Sequence, residues 1–420
     1  VRNRRHTLWP LLIVCFAAGQ YTGHDMFFRM AWLFAGLLAS SFLWTWLTLR
    51  NIRLTRQTLA RRAQVGNSLG EHFVLQNHSL VPGLWLEVRD HSDLPGHRAS
   101  QVVPTLGRRG AWRWSTNTAC VARGEFRLGP LTLISGDPFG FHQSSRRLRQ
   151  VTSVLIYPAT VELDAFPLRT GEISGGNLLR RRTHYVTTNA AGVRDYVPGD
   201  SFNRIHWRSS ARRDSLMVKE FEIDPALDIW LFMDFSADSL VEHETLRRAN
   251  GVGPAISAGA LPRSTEEYGV VVTASLARHF IEKEEREVGL VAWAPKRELL
   301  QPESGDRQLN RILQVLSVGR SLSRHPLAQM LALETPRLTR GATLIVVTAS
   351  LDPRWVHELR MLTRRGIRPF CVLIDPASFG GPQSSDSLRA TLHLARVPFV
   401  PVQMDDDLAG ALTQRPPRMM

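Results

Sequence analysis

The side chains spaced for chemistry in this chain are mostly arginines. The densest pattern is Gly192-Val193-Arg194-Asp195-Tyr196-Val197-Pro198-Gly199-Asp200, continuing Ser201-Phe202-Asn203-Arg204-Ile205-His206-Trp207-Arg208-Ser209-Ser210-Ala211-Arg212-Arg213. Pro198-Gly199 makes a tight turn, and Asp200 or Ser201 caps a short helix. In that helix Arg204, Arg208 and Arg212 stand four apart and share a face. A guanidinium row of this kind binds phosphate or an acidic partner. It equally pairs with Asp195, Asp200, Glu220 and Glu222 in a structural ion network, and such networks are common. Phe202, Ile205 and Trp207 offer apolar anchors, with Trp207 off the stripe of Phe202. No catalytic constellation accompanies them: there is no H-E-x-x-H, no Walker loop and no Cys/His pair at ligand spacing. His184, His206, His243 and His279 are scattered. A non-enzymatic role is therefore expected.

The elements that must position these residues follow from composition and period. The 420 residues suit two globular domains plus an anchor, and 43% hydrophobic content fills them well. The net charge is +14, and Lys219, Lys283 and Lys296 are the only lysines. An arginine excess favours an anionic partner such as an acidic protein, lipid headgroups or nucleic acid, or it reflects coding bias. Nucleic acid is the least favoured, because no reader motif or aromatic platform is present. Cys15, Cys120 and Cys371 form no metal spacing or disulfide framework, which fits a reducing compartment.

Leu8 to Tyr21 and Met26 to Leu49 are apolar, and at 24 residues the second run is long enough to cross a bilayer. Arginines lie before the first run, at 2, 4 and 5, and after the second, at 50, 53, 56, 61 and 62. The link Thr22-Gly23-His24-Asp25 has no Lys or Arg. The positive-inside rule then predicts a transmembrane hairpin over 1–50 with both ends in the cytoplasm, at the cell (inner) membrane.

From 51 to 160, short apolar alternations are separated by turn residues. Examples are Glu71-His72-Phe73-Val74-Leu75, Leu84-Trp85-Leu86-Glu87-Val88 and Val154-Leu155-Ile156-Tyr157. This predicts a small antiparallel β-sandwich. Asp137-Pro138-Phe139-Gly140 reads as a structural corner. A connecting segment over 161–222 carries the arginine pattern, and Leu216 to Phe221 alternates as a strand. From 223 to 415 strands and helices alternate. The strands fall at Leu227–Met233, Val288–Trp293, Ala342–Thr348 and Pro369–Ile374, which predicts an α/β doubly wound sheet. Ligands in such sheets bind at the carboxyl ends of strands. The first of these strands ends in Met233-Asp234-Phe235-Ser236-Ala237-Asp238, where Asp234 either meets a ligand or caps the next helix.

Together these motifs resemble the bacterial domain-of-unknown-function family 58. Its Y-x-x-G-D, R-x-I-x-W, A-R and L-x-V-K-E elements match Tyr196, Gly199 and Asp200; Arg204, Ile205 and Trp207; Ala211 and Arg212; and Leu216, Val218, Lys219 and Glu220. Its G-x-[YF]-x-L-G-P strand, D-P-F-G turn and Y-P pair match Gly124 to Pro130, Asp137 to Gly140, and Tyr157-Pro158. The resemblance implies a von Willebrand factor A-like domain. Asp234, Ser236 and Asp238 then resemble its D-x-S-x-S metal loop, with Asp238 where Ser is usual. Such oxygens suit Mg²⁺. The set is incomplete, because Ala349-Ser350 stands where the family pattern has an Asp. The resemblance also implies a membrane-anchored partner of a MoxR-type AAA+ ATPase. A metal-dependent ligand-binding module is the alternative.

Overall fold

Two helices open the described chain. Helix α1 spans Arg5–Thr22, and α2 spans Asp25–Asn51. The turn between them uses Gly23 at φ 68°, a left-handed conformation that suits glycine. Gly19 lets the two helices approach, since a side chain there would press on the Phe28 ring, and Phe16 meets Phe28 edge to face at 6.1 Å. Asp25 in the first turn and Arg50 in the last complement the α2 dipole. Of the predicted pair of spans, only Asp25–Asn51 is long and apolar enough to cross a membrane; the apolar part of α1, Leu8–Thr22, is shorter.

The structure is a computed structural model, and it describes residues 5–168, 190–197, 205–213, 215–221, 228–243, 263–294 and 296–413. The chain forms two units. One comprises Val1–Thr160, Glu242–Ala274 and Leu313–Arg320; the other comprises Val161–Val241, Ser275–Ile312 and Ser321–Met420.

In the first unit ten strands follow the helices: β1 Ile52–Thr58, β2 Arg62–Gln64, β3 Ser68–Asn77, β4 Gly83–Asp90, β5 Gln101–Leu106, β6 Ala111–Ala119, β7 Gly124–Leu128, β8 Leu131–Gly136, β9 Gln143–Leu148 and β10 Thr152–Tyr157. They make sheets of order β1-β3-β6, β5-β4-β8-β9 and β2-β10-β7. All pairings are antiparallel except β2 with β10. Strict alternation along β3 buries Leu69, Phe73 and Leu75 and turns the intervening residues outward. One core joins Leu54, Phe73 and Leu75 of the first sheet to Leu86, Val88, Val103, Leu131 and Leu133 of the second, the inward-facing pattern of a sandwich. Leu49 and Ile52 belong to the same core, so α2 runs into the sheet without a linker.

Two buried ionic groups sit in this unit. Arg56 binds Glu71 through Nε at 2.7 Å and Nη2 at 2.9 Å, and His97 Nε2 lies 2.8 Å from Asp90. These four side chains are all 3% exposed or less. Arg123, 1% exposed, pairs with Glu266 and Glu267 and donates to the carbonyls of Leu316 and Gly319, which end a helix. A cation at a helix C-terminus satisfies carbonyls that have no partner within the helix.

The second unit begins with β11 (Ala190–Asp195) and β12 (Met217–Phe221), paired antiparallel, with the short helix α3 (Trp207–Arg213) between them. Its main sheet comprises β13 (Ile229–Met233), β14 (Val288–Trp293), β15 (Arg297–Glu303), β16 (Thr343–Thr348), β17 (Arg368–Ile374) and β18 (Phe399–Val402). Helices α4 (Thr265–Arg278) and α5 (Asp306–Val318) are divided between the two units, and α6 (Leu327–Glu334), α7 (Arg354–Arg364), α8 (Asp386–Leu394) and α9 (Leu408–Thr413) belong to the second. The strand order is β15-β14-β13-β16-β17-β18, parallel except for the antiparallel edge strand β15. Trp230, Phe232, Leu344, Val346, Cys371 and Leu373 pack on one face beneath Leu331, Trp355, Leu359 and Leu392 of α6, α7 and α8. On the other face Phe370 meets Phe166, whose ring also contacts Phe280. Residues β13 and β16 are buried throughout, which explains their unbroken apolar runs. The molecule is thus a mixed α/β protein with an N-terminal apolar helix and antiparallel sheets.

Candidate functional site at the strand switch point

The order of the six strands reverses direction between β13 and β16. Connections leave these neighbours toward opposite sides, and in open α/β sheets ligands bind beyond the carboxyl ends at such a point. Asp234 immediately follows β13, and its N–H donates to Val347 at 3.0 Å. Its side chain is buried. Oδ1 accepts from the Ser236 N–H at 2.9 Å, and Oδ2 accepts from the Thr348 hydroxyl at 2.6 Å. The Thr348 oxygen in turn accepts from the Ser350 N–H at 2.8 Å. A short relay therefore runs from the β16 loop through Thr348 to Asp234.

The loop after β13 is fixed on its other side as well. Ser323 N–H donates to Phe235 at 3.1 Å, and Ala237 N–H donates to Ser323 at 2.8 Å. A 3-10 turn over Ala237–Ser239 follows, and the Ser239 hydroxyl donates to the Ser236 carbonyl at 2.8 Å. Burial raises the Asp234 carboxyl above the ordinary aspartate range, and hydrogen bonds from Thr348, Ser236 and Ser239 oppose that shift without cancelling it. No cation among these partners balances the charge. Asp234 does not cap a helix in the manner of Asp375, whose carboxylate accepts from the Ala377 N–H at 3.2 Å and pairs with Arg389 at 2.9 Å.

The metal loop inferred from resemblance is only partly assembled. Asp234 and Ser236 are buried side by side, whereas Asp238 is exposed on the 3-10 turn. Among the described residues no group of three His, Cys, Asp or Glu is placed to hold a metal ion. One carboxylate ringed by hydroxyls does not close a Mg²⁺ shell by itself.

The arginine stretch is placed differently from the metal loop. Tyr196 N–H donates to Leu216 at 2.8 Å, and Asp195 pairs with Met217 across the β11-β12 ribbon. Helix α3 starts only at Trp207, so Ile205 is not one of its anchors. Ile205 instead bridges Val218 as extended chain and is buried. Trp207 turns outward, 67% exposed, and Arg208 and Arg212 are exposed one turn apart on the same helix. Lys219 lies on β12 opposite Val193. Gly199, Asp200 and Arg204 lie outside the described residues.

Two residues at the crest escaped the sequence reading. Thr348 ends β16 and Ser323 lies in a loop, both far from Asp234 in the chain, and the one signal for Thr348 was a polar residue closing the apolar run 344–347. One motif was also overlooked. Gly66-Asn67-Ser68-Leu69-Gly70 has the G-x-S-x-G pattern, but Ser68 opens β3 after a strand-to-strand turn and is exposed. A nucleophile elbow needs a strand-to-helix turn.

The family model described as "Protein of unknown function DUF58" matches residues 192–377, the segment that holds both the signature and the switch point. The chain is similar to "Uncharacterized protein YeaD" of Bacillus subtilis (strain 168), 25% identical over 340 residues that cover 77% of this chain and 75% of that protein. Among solved structures, the CARDB domain of the PF1109 protein from Pyrococcus furiosus is 14% identical over 25% of this chain and 86% of its own, with a TM-score of 0.19. The alkylpurine DNA glycosylase AlkC of Pseudomonas fluorescens is 14% identical over 25% of this chain and 30% of its own, with a TM-score of 0.18. Similarity at that level carries no functional information.

Proposed function

We propose that the protein is a membrane-anchored, non-catalytic interaction scaffold whose second unit offers the crest at the strand switch point to a protein partner. The observation that carries this reading is the continuity of α2 with the first sheet. Trp32, Leu33, Phe42 and Leu43 leave the helix apolar and uncovered, while Leu49 and Ile52 are locked into the sandwich core. An apolar helix joined to its domain without a flexible linker suits a fixed platform. The arginines flanking the helices favour the cytoplasmic side of the cell membrane for both units.

Strand order supports a von Willebrand factor A-like reading of the second unit. Counted from β13, the order is third, second, first, fourth, fifth, sixth, and the third strand is the antiparallel edge. The family resemblance supports a MoxR-type AAA+ ATPase as the partner. The alternative is a cation-dependent module in which a partner carboxylate completes the shell around Asp234. What favours it is a buried carboxylate bonded, among the described residues, only to neutral donors.

Co-purification of the tagged full chain with MoxR-type ATPases, in Mg²⁺ or chelator, tests both readings. A complex that survives chelation supports the scaffold. A complex lost in chelator and in Asp234→Ala supports the cation-dependent module. Failure to capture any such ATPase removes that partner.

A further inference from the structure

The β8–β9 hairpin runs beside the last turns of α2. His142, just past the hairpin turn, packs edge to face on Phe42 at 5.3 Å. Further along β9, the Arg146 guanidinium donates to the Ile52 carbonyl. The turn is therefore level with Phe42, and the hairpin's other end is level with the start of β1. Ser41, Thr45, Thr48 and Leu49, one face of α2, are buried. The Thr45 and Thr48 hydroxyls are satisfied by carbonyls of α2 itself.

This arrangement sets a length problem. From Met26 to Ser41 is about 24 Å of helix, short of the roughly 30 Å of a hydrocarbon layer. A bilayer crossed by α2 must extend past Ser41, to the level of the hairpin turn. The turn is built for that environment. Asp137 accepts from the Phe139 N–H at 3.1 Å and the His142 N–H at 2.7 Å, and the Gly140 N–H donates to the Asp137 carbonyl at 3.3 Å. These three backbone donors are thus satisfied within the turn, as burial in lipid requires. Phe139 points outward, 53% exposed, and stacks on Phe141 at 6.0 Å. Trp85, 65% exposed, sits next to Gly136 at the same end of the sheet.

Arginines lie on or beside the same elements, back from this apolar tip. Arg50 lies over the Trp46 ring at 5.0 Å, one turn above Trp46 and two above Phe42. Arg109 and Arg147 are exposed, and Arg109 is tied to the loop beside the end of α2 through Ser79. An aromatic tip with arginines set back from it matches the headgroup boundary of an anionic membrane.

We propose that the hairpin tip at Phe139, with Trp85 beside it, inserts into the headgroup–acyl boundary of the same membrane that α2 crosses. This second contact would hold the sandwich in one orientation on the bilayer. The inference rests on the membrane-anchor reading of α2, and its test separates the two.

The full chain is placed in vesicles containing phosphatidylglycerol, with single cysteines labelled by an environment-sensitive fluorophore and quenched by brominated lipid. The native cysteines are buried, so labelling selects the introduced ones. Trp32→Cys reports on α2, Phe139→Cys on the tip, and Val151→Cys on exposed chain at the far end of β9. Strong quenching is expected at positions 32 and 139, with position 139 quenched about threefold more than position 151. Quenching at 32 without quenching at 139 overturns the insertion and leaves the anchor standing. No quenching at 32 overturns the anchor, and the insertion with it. Equal quenching at 139 and 151 also overturns a tip-specific contact.

Discussion

Two buried carboxylate sites divide the labour of this molecule. In the first unit, Glu71 and Asp90 are enclosed with Arg56 and His97, and hydroxyls of Thr58, Ser92 and Thr118 complete the cage. In the second, the partners of Asp234 among the described residues are N–H and hydroxyl donors. A carboxylate buried beside a guanidinium recovers much of its lost hydration and ties strands together. A carboxylate buried without a counter-charge is held at a cost in stability, and such costs gather where a partner or ligand supplies the missing charge. The first site therefore reads as structure, and the second is the candidate for a functional role.

The contrast breaks most visibly at Glu71. Glu71→Ala strands the Arg56 guanidinium in the core, and thermal or urea unfolding of the full chain should show a loss of about 3–5 kcal/mol. A loss under about 1 kcal/mol would mean the cage is not structural. Thr348→Val removes the hydroxyl that donates to Asp234. The expected cost is about 1–3 kcal/mol, because the acceptor stays buried.

Asp234→Asn should act in the opposite direction. It keeps an acceptor for the Ser236 N–H and removes a buried charge, so a gain of about 1 kcal/mol at neutral pH is expected, with partner capture kept under the scaffold reading and lost under the cation-dependent one. The pH dependence follows from the raised carboxyl. The folded state holds that proton more tightly than the unfolded chain, so its stabilising effect is full at low pH and disappears as pH rises through the folded value. Asp234→Asn should flatten that decline, and unchanged pH dependence would put the charge elsewhere.

Asp90 gives the smallest and reverse effect. Burial opposes its ionisation, but hydrogen bonds from His97 and Ser92 and the nearby Arg56 outweigh that and hold it below the ordinary range. Its contribution is present above an unfolded value of about 3.9 and is lost as pH falls through the lower folded value. Asp90→Asn should shorten the acid limb of an unfolding curve without moving the neutral-to-alkaline limb.

Periodicity and charge by themselves determined much of the chain. The run Met26–Leu49, the alternation around Phe73 and the apolar strands at Val288, Ala342 and Pro369 each lie within a few residues of the helix or strand observed. These are local signals, written in neighbouring residues. The edge strand β15, helices α6 and α8, and β18 left no such trace, because Arg297–Glu303 is half exposed and the others are short. The position of Asp234 at a strand end was legible too. Its partners were not, since Thr348 lies 114 residues away and reaches it only because β16 lies beside β13 in the sheet. The tertiary structure alone decided that Asp238 turns outward, that Ile205 bridges a strand, and that His142 packs on Phe42. Each depends on which strand lies next to which, and strand order is fixed by packing across the whole unit rather than by any short stretch of chain.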